Sequence, residues 1–268
     1  MNMSEKTINF EKMAEEAWDE AALLHREIKH DDWKILLQKK DTLPIDEILK
    51  NKLISLGLKG ASIAQLSCNN GRELLSVKMF GANRCVGFDI STNVLKEAVD
   101  LAKASGLKCE FIKADAQFLP VGYENYFDIV FVTAGALCFI PNLNLYISQI
   151  KKILKKDGVA VIYESHPVLN IFKMDRDRDG SAYIEYDYFN NKPMLHVTGI
   201  DYYNNTTYKA KEVYYFNYTL DDILNTIIST GLKLIEFKEL QYDPSLAFGI
   251  KSFPLGKPPM GLLLTIGR

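Results

Sequence analysis

The rhythm of apolar and polar positions changes several times along the chain, and each change marks an element. From residue 9 to about 38, Trp18, Ala21, Ala22 and Ile28 fall among charges at a helical period. Pro44 opens a second helical stretch, PIDEILKNKLISLGL, closed by Gly60. Short apolar runs then alternate with helical ones. Strands are predicted at 61–66, 85–88, 109–113, 127–133 and 159–164, and helices at 73–80, 92–105 and 144–154, with 155–158 as the exit turn of the last helix. Unbroken apolar strands separated by helices imply right-handed crossovers and a parallel sheet covered on both faces.

Beyond residue 165 the period shortens to two. AYIEYDYF and KEVYYFNY, in a segment rich in Tyr, Asn and Asp, predict antiparallel strands inserted over 165–218. Regular alternation returns with LDDILNTIIST, which ends at Gly231, then LKLIEFKEL, a loop with Pro and Gly, and GLLLTIG. No helix separates those two strands, so they are expected to pair antiparallel. The expected architecture is α/β: a Rossmann-like, seven-stranded, mostly parallel sheet with an antiparallel last pair. A helical cap spans 1–60, the α/β domain 61–164 and 219–268, and an antiparallel insertion 165–218.

Composition narrows the function classes. The chain has 268 residues, 47% hydrophobic and 25% charged, with 32 basic and 34 acidic side chains and a formal net charge of −2. This is an ordinary globular balance, without the basic excess of a nucleic-acid binder. No apolar run reaches the ~20 residues that span a bilayer, and the polar start MNMSEKTINFEKMAEEAWDE is no signal peptide. Cys68, Cys85, Cys109 and Cys138 form no C-x-x-C pair and sit in or beside apolar runs. They read as buried free thiols in a cytoplasmic protein, without a metal site.

Ligands of open α/β sheets bind at the carboxyl ends of the strands. The loop after the first strand, Ser67-Cys68-Asn69-Asn70-Gly71, holds one glycine. Asn69 or Asn70 suits a left-handed position there. So few glycines fit a pyrophosphate poorly, whereas a phosphate-free cofactor asks less of the loop. Asp89, ending the second strand, can accept both ribose hydroxyls of a nucleoside. Asp115, after the third strand in FIKADAQFLP, can accept from an adenine amino group, or serve as a cap or turn residue.

In this order, QLSCNNG, GFDIS, KADAQFLP, YFDIVFVTAGALCFIPNL and LKKDGVAVIYESHP resemble the class I S-adenosylmethionine-dependent methyltransferases over 63–167. The chain is similar in particular to bacterial small-molecule methyltransferases with LQCHFG-type loops, an E-x-H-P segment and a tyrosine-rich insertion. The resemblance implies S-adenosylmethionine as cofactor, S-adenosylhomocysteine as product and no metal. It implies cofactor contacts from Ser67, Cys68, Asn69, Gly71, Asp89, Ile90, Asp115, Ala116, Thr133 and Ala134. Gln65 stands where that family has an acidic residue, and Ser67 and Asn69 where it has glycines. A neutral Gln65 is expected to weaken cofactor binding.

The expected reaction is an in-line displacement onto oxygen or nitrogen of a small-molecule acceptor, in which the protein aligns the reactants and excludes water. Three other classes compete: a cofactor-binding protein without transferase activity, a nicotinamide-dependent oxidoreductase lacking G-x-G-x-x-G, and a nucleic-acid methyltransferase. His166, leaving the fifth strand, is the candidate general base. The other reading makes it a structural histidine bonded to the insertion's backbone, and Glu164 is expected to be structural. Leu137, Cys138 and Phe139 are candidates for the acceptor floor. Tyr183, Tyr186, Tyr188, Tyr202, Tyr203, Tyr208, Tyr214, Tyr215 and Tyr218 suit a lid and a homodimer interface equally well. Trp18 reads as core or as the far wall. MDRDRDG resembles a calcium-loop opening, but the twelfth position is Tyr186 instead of glutamate, so calcium is discounted. KKILKK reads as a helix end whose cations complement the dipole.

Overall fold

A computed structural model describes residues 8–39, 43–174, 181–245, 247–248, 253 and 256–268. The discounted calcium-like stretch at Asp175, Asp177, Asp179 and Gly180 lies outside the described residues. Two helices, α1 (Phe10–Lys39) and α2 (Glu47–Ser55), precede β1 (Ser62–Leu66). Alternation continues through α3 (Arg72–Met79), β2 (Arg84–Asp89), α4 (Thr92–Ser105), β3 (Glu110–Lys113), β4 (Phe127–Val132), α5 (Leu143–Ile153) and β5 (Leu154–Ser165). Between β5 and α6 (Leu220–Ser229) lie four three-residue strands, β6 (Phe172–Met174), β7 (Ala182–Ile184), β8 (Met194–His196) and β9 (Val213–Tyr215). β10 (Lys233–Leu240) and β11 (Gly261–Gly267) close the fold.

The main sheet runs β10-β11-β5-β4-β1-β2-β3, with β11 antiparallel to both neighbours and the other pairs parallel. This is the expected Rossmann-like architecture. The strand order reverses at β1, so β1 and β4 diverge to opposite connections and leave a crevice at their carboxyl ends. One sheet face, carrying Leu66, Phe88, Val132, Ile162 and Leu264, packs under α5 and α6. The other, carrying Ile63, Phe131, Val161 and Leu263, packs under α2 and α3. All of these strand residues are buried, which is why the strands read as unbroken apolar runs.

Side-chain caps fix where helices begin. Asp46, Ser91, Asn142 and Thr219 each accept a backbone N–H of the helix that follows, and Thr219 forms a reciprocal box with Asp222. The expected turn at 155–158 is instead an irregularity within β5. Leu154 is fully buried and pairs with Phe127, drawing the chain straight from α5 into the sheet. Gly158 then packs so tightly that a Cβ would lie 3.0 Å from backbone atoms of Lys155 and Phe127.

α1 lies outside α4. Its Asp19 accepts from the Ser91 hydroxyl at 2.6 Å and the Asn93 N–H at 2.8 Å, and Arg26 pairs with Asp100 at 2.7 Å. The small residues Ala14, Ala17 and Ala21 let α1 approach Ile200 and Val213 of the 165–218 segment. In that segment the period-two runs form only two short pairs, β6–β7 and β8–β9. The tyrosines between them turn to separate partners instead of extending one sheet. Lys151, Lys152 and Lys155 of KKILKK bond to the Thr230 carbonyl, Glu124 and Asp128 respectively. Among the described residues no helix is long and apolar enough to cross a membrane.

Candidate functional site

The loop after β1 keeps a glycine-like backbone without the glycines. Ser67 and Asn69 both lie at φ 50° and Gly71 at φ 70°, so alternate residues are left-handed. The expectation for Asn69 holds, and Ser67 joins it. Asn69 steadies the turn by accepting the Asn70 N–H at 2.7 Å. Gly71 is glycine for a second reason: a Cβ there would sit 2.4 Å from the Phe111 ring. The Asn69 N–H donates to Asp89 at 2.8 Å, and the Ser91 N–H to its other oxygen at 2.9 Å. Burial nevertheless pushes the Asp89 carboxyl up to about 6, against these bonds.

A cavity of ≈ 1020 Å³ opens beside this loop. Ser67, Asn69, Asp89, Ile90, Asp115, Ala116, Thr133 and Ala134 all line it. Cys68 and Gly71 do not. Cys68 is fully buried behind the loop, where its sulfur lies 2.7 Å from the point a Cβ on Gly87 would take. Gly71 is the N-cap of α3 and faces Phe111. Both support the loop from beneath. Asp115 accepts the Gln117 N–H at 2.8 Å, a turn aspartate that still lines the cavity, and burial raises its pKa.

Gln65 is fully buried, with its amide nitrogen donating to the Thr133 hydroxyl at 3.1 Å. Its carbonyl oxygen has no partner among the described residues. Glu164 lines the cavity and accepts four backbone N–H groups, from Gly135, Ala136 at 3.0 Å, Leu137 at 3.1 Å and Ser165 at 2.9 Å. Burial raises it to about 7 despite those donors. One carboxylate thus pins the segment after β4 to the end of β5.

His166 is not where a general base belongs. It lies outside the cavity lining, and its Nδ1 accepts the Val168 N–H at 3.1 Å as the cap of the short helical turn 167–171. Its Nε2 faces Glu239 of β10 at 3.5 Å. Pro167 stands at the first position of that turn. The structure thus does not bring His166, the expected general base, to the cavity wall.

Several cavity residues escaped the sequence reading. Arg72 is the one cation among the described lining residues; it pairs with Glu73 at 2.8 Å and lies 5.1 Å over the Trp33 ring. A basic residue opening a helix runs against the dipole, and that anomaly was a signal in the sequence. Asp46, Tyr163 and Tyr242 also line the cavity and gave no such signal. Leu137, Cys138 and Phe139 line it, as do Trp18, Tyr186, Tyr202, Tyr215 and Tyr218, whereas Tyr183 is exposed. Tyr202 reaches back to the first loop, where its hydroxyl lies 3.4 Å from the Asn69 amide.

Comparison with known proteins bears on the family and the fold. Residues 64–162 match the family described as a methyltransferase domain. An uncharacterized protein of Haemophilus influenzae is 29% identical over 154 residues, which cover 53% of this chain and 59% of that one. A sterol 4-C-methyltransferase of Caenorhabditis elegans is 26% identical over 138 residues, 49% of this chain and 39% of that one. The chain therefore spans less than two thirds of the length of these relatives. The crystal structure of an S-adenosylmethionine-dependent methyltransferase from Mesorhizobium loti superposes with a TM-score of 0.61 at 20% identity, covering 81% of this chain and 96% of that one. That structure has the same fold.

Proposed function

We propose, from the methyltransferase domain that residues 64–162 form on a class I fold, that the chain transfers a methyl group from S-adenosylmethionine to oxygen or nitrogen of a small-molecule acceptor. The donor set fits that cofactor. Asp89 and Asp115 end adjacent strands and line one cavity, which suits ribose hydroxyls and an adenine amino group, while Arg72 suits a carboxylate. A pyrophosphate would meet two carboxylates there and a single described cation. The bound cofactor would supply a methyl group already activated on a sulfonium. The observation that carries the reading is the alternating left-handed loop bonded to Asp89.

The chain's own residues then hold and enclose. Asp89 takes the ribose hydroxyls, at the cost of rearranging its bond to Asn69. Glu164 keeps the 135–137 segment rigid beside the acceptor, so that the reacting groups stay aligned. The described residues of the 181–218 segment act as a lid: Tyr186, Tyr202, Tyr215 and Tyr218 face the cavity, and Tyr202 with Trp18 closes it toward α1. With His166 turned away, an acceptor that is already nucleophilic needs no histidine base. The same observation favours a second reading, a cofactor-binding protein without turnover.

Calorimetric titration with S-adenosylhomocysteine tests this. The wild type should bind, and Asp89→Ala should lose at least about tenfold in affinity, since it removes charged hydrogen bonds. A folded wild type that does not bind would end the methyltransferase proposal. Binding of S-adenosylmethionine without turnover across a wide acceptor panel would favour the second reading.

A further inference from the structure

Three side chains from distant parts of the chain meet in the cavity wall. Tyr163 of β5 and Tyr242, after β10, place their hydroxyl oxygens 2.6 Å apart. The Tyr242 hydroxyl lies 3.0 Å from each oxygen of Asp46. Asp46 is also the N-cap of α2, with the Ile48 N–H donating to it at 2.8 Å. All three line the cavity, and Tyr163 is 2% exposed.

Counting protons gives this chain a direction. A carboxylate only accepts, so the one proton of Tyr242 goes to Asp46. Tyr242 then has only lone pairs left for Tyr163, so the Tyr163 proton goes to Tyr242. Burial holds both phenols in their protonated forms, helped at Tyr163 by its bond to Tyr242 and at Tyr242 by its bond to Asp46, against the opposing bond from Tyr163. Every proton points toward Asp46, and the Tyr163 oxygen keeps lone pairs that meet no donor among the described residues. An atom in that state rewards a donor and repels a bare acceptor.

We propose that Tyr163, oriented through Tyr242 by Asp46, is a specificity residue that selects acceptor molecules presenting an O–H or N–H group to the cavity wall. This rests on the methyltransferase reading and narrows it: ethers, esters and other donor-free molecules are disfavoured at this position. Tyr163 acts on the acceptor by contact, whereas Asp46 and Tyr242 are positioning residues.

Fluorine NMR with three small aromatic probes tests the proposal on the whole protein, free and saturated with S-adenosylhomocysteine. The probes are para-fluorophenol and para-fluorobenzylamine, which carry donors, and para-fluoroanisole, which carries none. At least one donor probe should bind about five- to tenfold more tightly than the anisole, the worth of one hydrogen bond. The stronger of the two tells O–H from N–H recognition, and either supports the proposal. Tyr163→Phe should remove the preference. Asp46→Asn is the second variant. Asparagine caps a helix as well as aspartate, so its carbonyl stays on the Ile48 N–H and its amino group turns to Tyr242. The proton order then reverses, Tyr163 becomes a donor toward the cavity, and the phenol–anisole difference should collapse while the fold persists. A purely structural triad predicts no such collapse.

No donor preference in the wild type, no probe binding at all, or a preference that survives both substitutions would overturn the proposal. S-adenosylhomocysteine affinity, measured on the same samples, reports separately on the methyltransferase reading.

Discussion

Asp89 has two tasks that pull its proton in opposite directions. Burial raises its carboxyl from the ordinary 3.8 to about 6. A raised folded pKa means that the folded state gains from the protonated form. That gain is complete below about pH 4 and is lost as pH rises through about 6. The wild-type melting temperature should therefore fall relative to that of Asp89→Asn across this interval. On the proposed reading the ionised carboxylate accepts the ribose hydroxyls, so S-adenosylhomocysteine affinity should rise over the same interval. Calorimetry at matched pH values checks both trends, and parallel trends would contradict the assignment. Other positions in the site differ in how far their type alone reveals them. Asp89 and Asp115 end strands that the apolar pattern delimits, and Asn69 tolerates the left-handed region, so their places could be read. Ser67 shows no such preference; the strand end and the Asp89 bonds impose its φ. His166 misled because the residue type suits a base, while its ring serves as the cap of the 167–171 turn.

At the scale of elements, α1 and the 165–218 segment form one aromatic joint. His25 donates from Nε2 to the Ile200 carbonyl at 2.9 Å, and its ring lies 4.4 Å from Tyr202 and 5.1 Å from Tyr203. Burial lowers its pKa from 6.5 to about 4. A depressed folded pKa in a base contributes stability that is whole above about pH 6.5 and is lost as pH falls toward 4. Acidification should therefore speed amide exchange in α1 and around Tyr202. His25→Gln, which keeps a donor for Ile200 without titrating, should remove that pH dependence; exchange that stays acid-sensitive in the variant would locate the switch elsewhere. The elements themselves were legible where the apolar period was strong, and the caps at Ser91 and Thr219 fix the starts of two of them. The 165–218 segment was legible only as a change of period. Its tyrosines take partners remote in sequence, such as Asn69 and His25, and no local pattern encodes those contacts. The same limit hid the Tyr163–Tyr242–Asp46 chain, whose members are brought together only by the finished sheet.

The whole molecule is organised around one crevice, roofed by α1 and the insertion and floored by the ends of β1, β4 and β5. A ligand held there touches elements from residues 11 to 248, so binding should stabilise the chain as a unit. S-adenosylhomocysteine at about a hundred times its dissociation constant adds about 2.7 kcal/mol, or roughly 5–10 °C in melting temperature for a chain of this size. Differential scanning fluorimetry measures this directly, and a flat response would argue against a site that spans the fold.

The position of β11 bears on how the protein is made. It is the last of the seven sheet strands to leave the ribosome, yet it lies inside the sheet, between β5 and β10. Until Gly267 has emerged, β5 presents an open edge along Val159–Ser165 and β10 has no partner in the sheet. A nascent chain stalled before residue 261 is therefore an aggregation hazard carrying an unpaired, apolar strand edge. Its synthesis should depend on chaperones until β11 is translated.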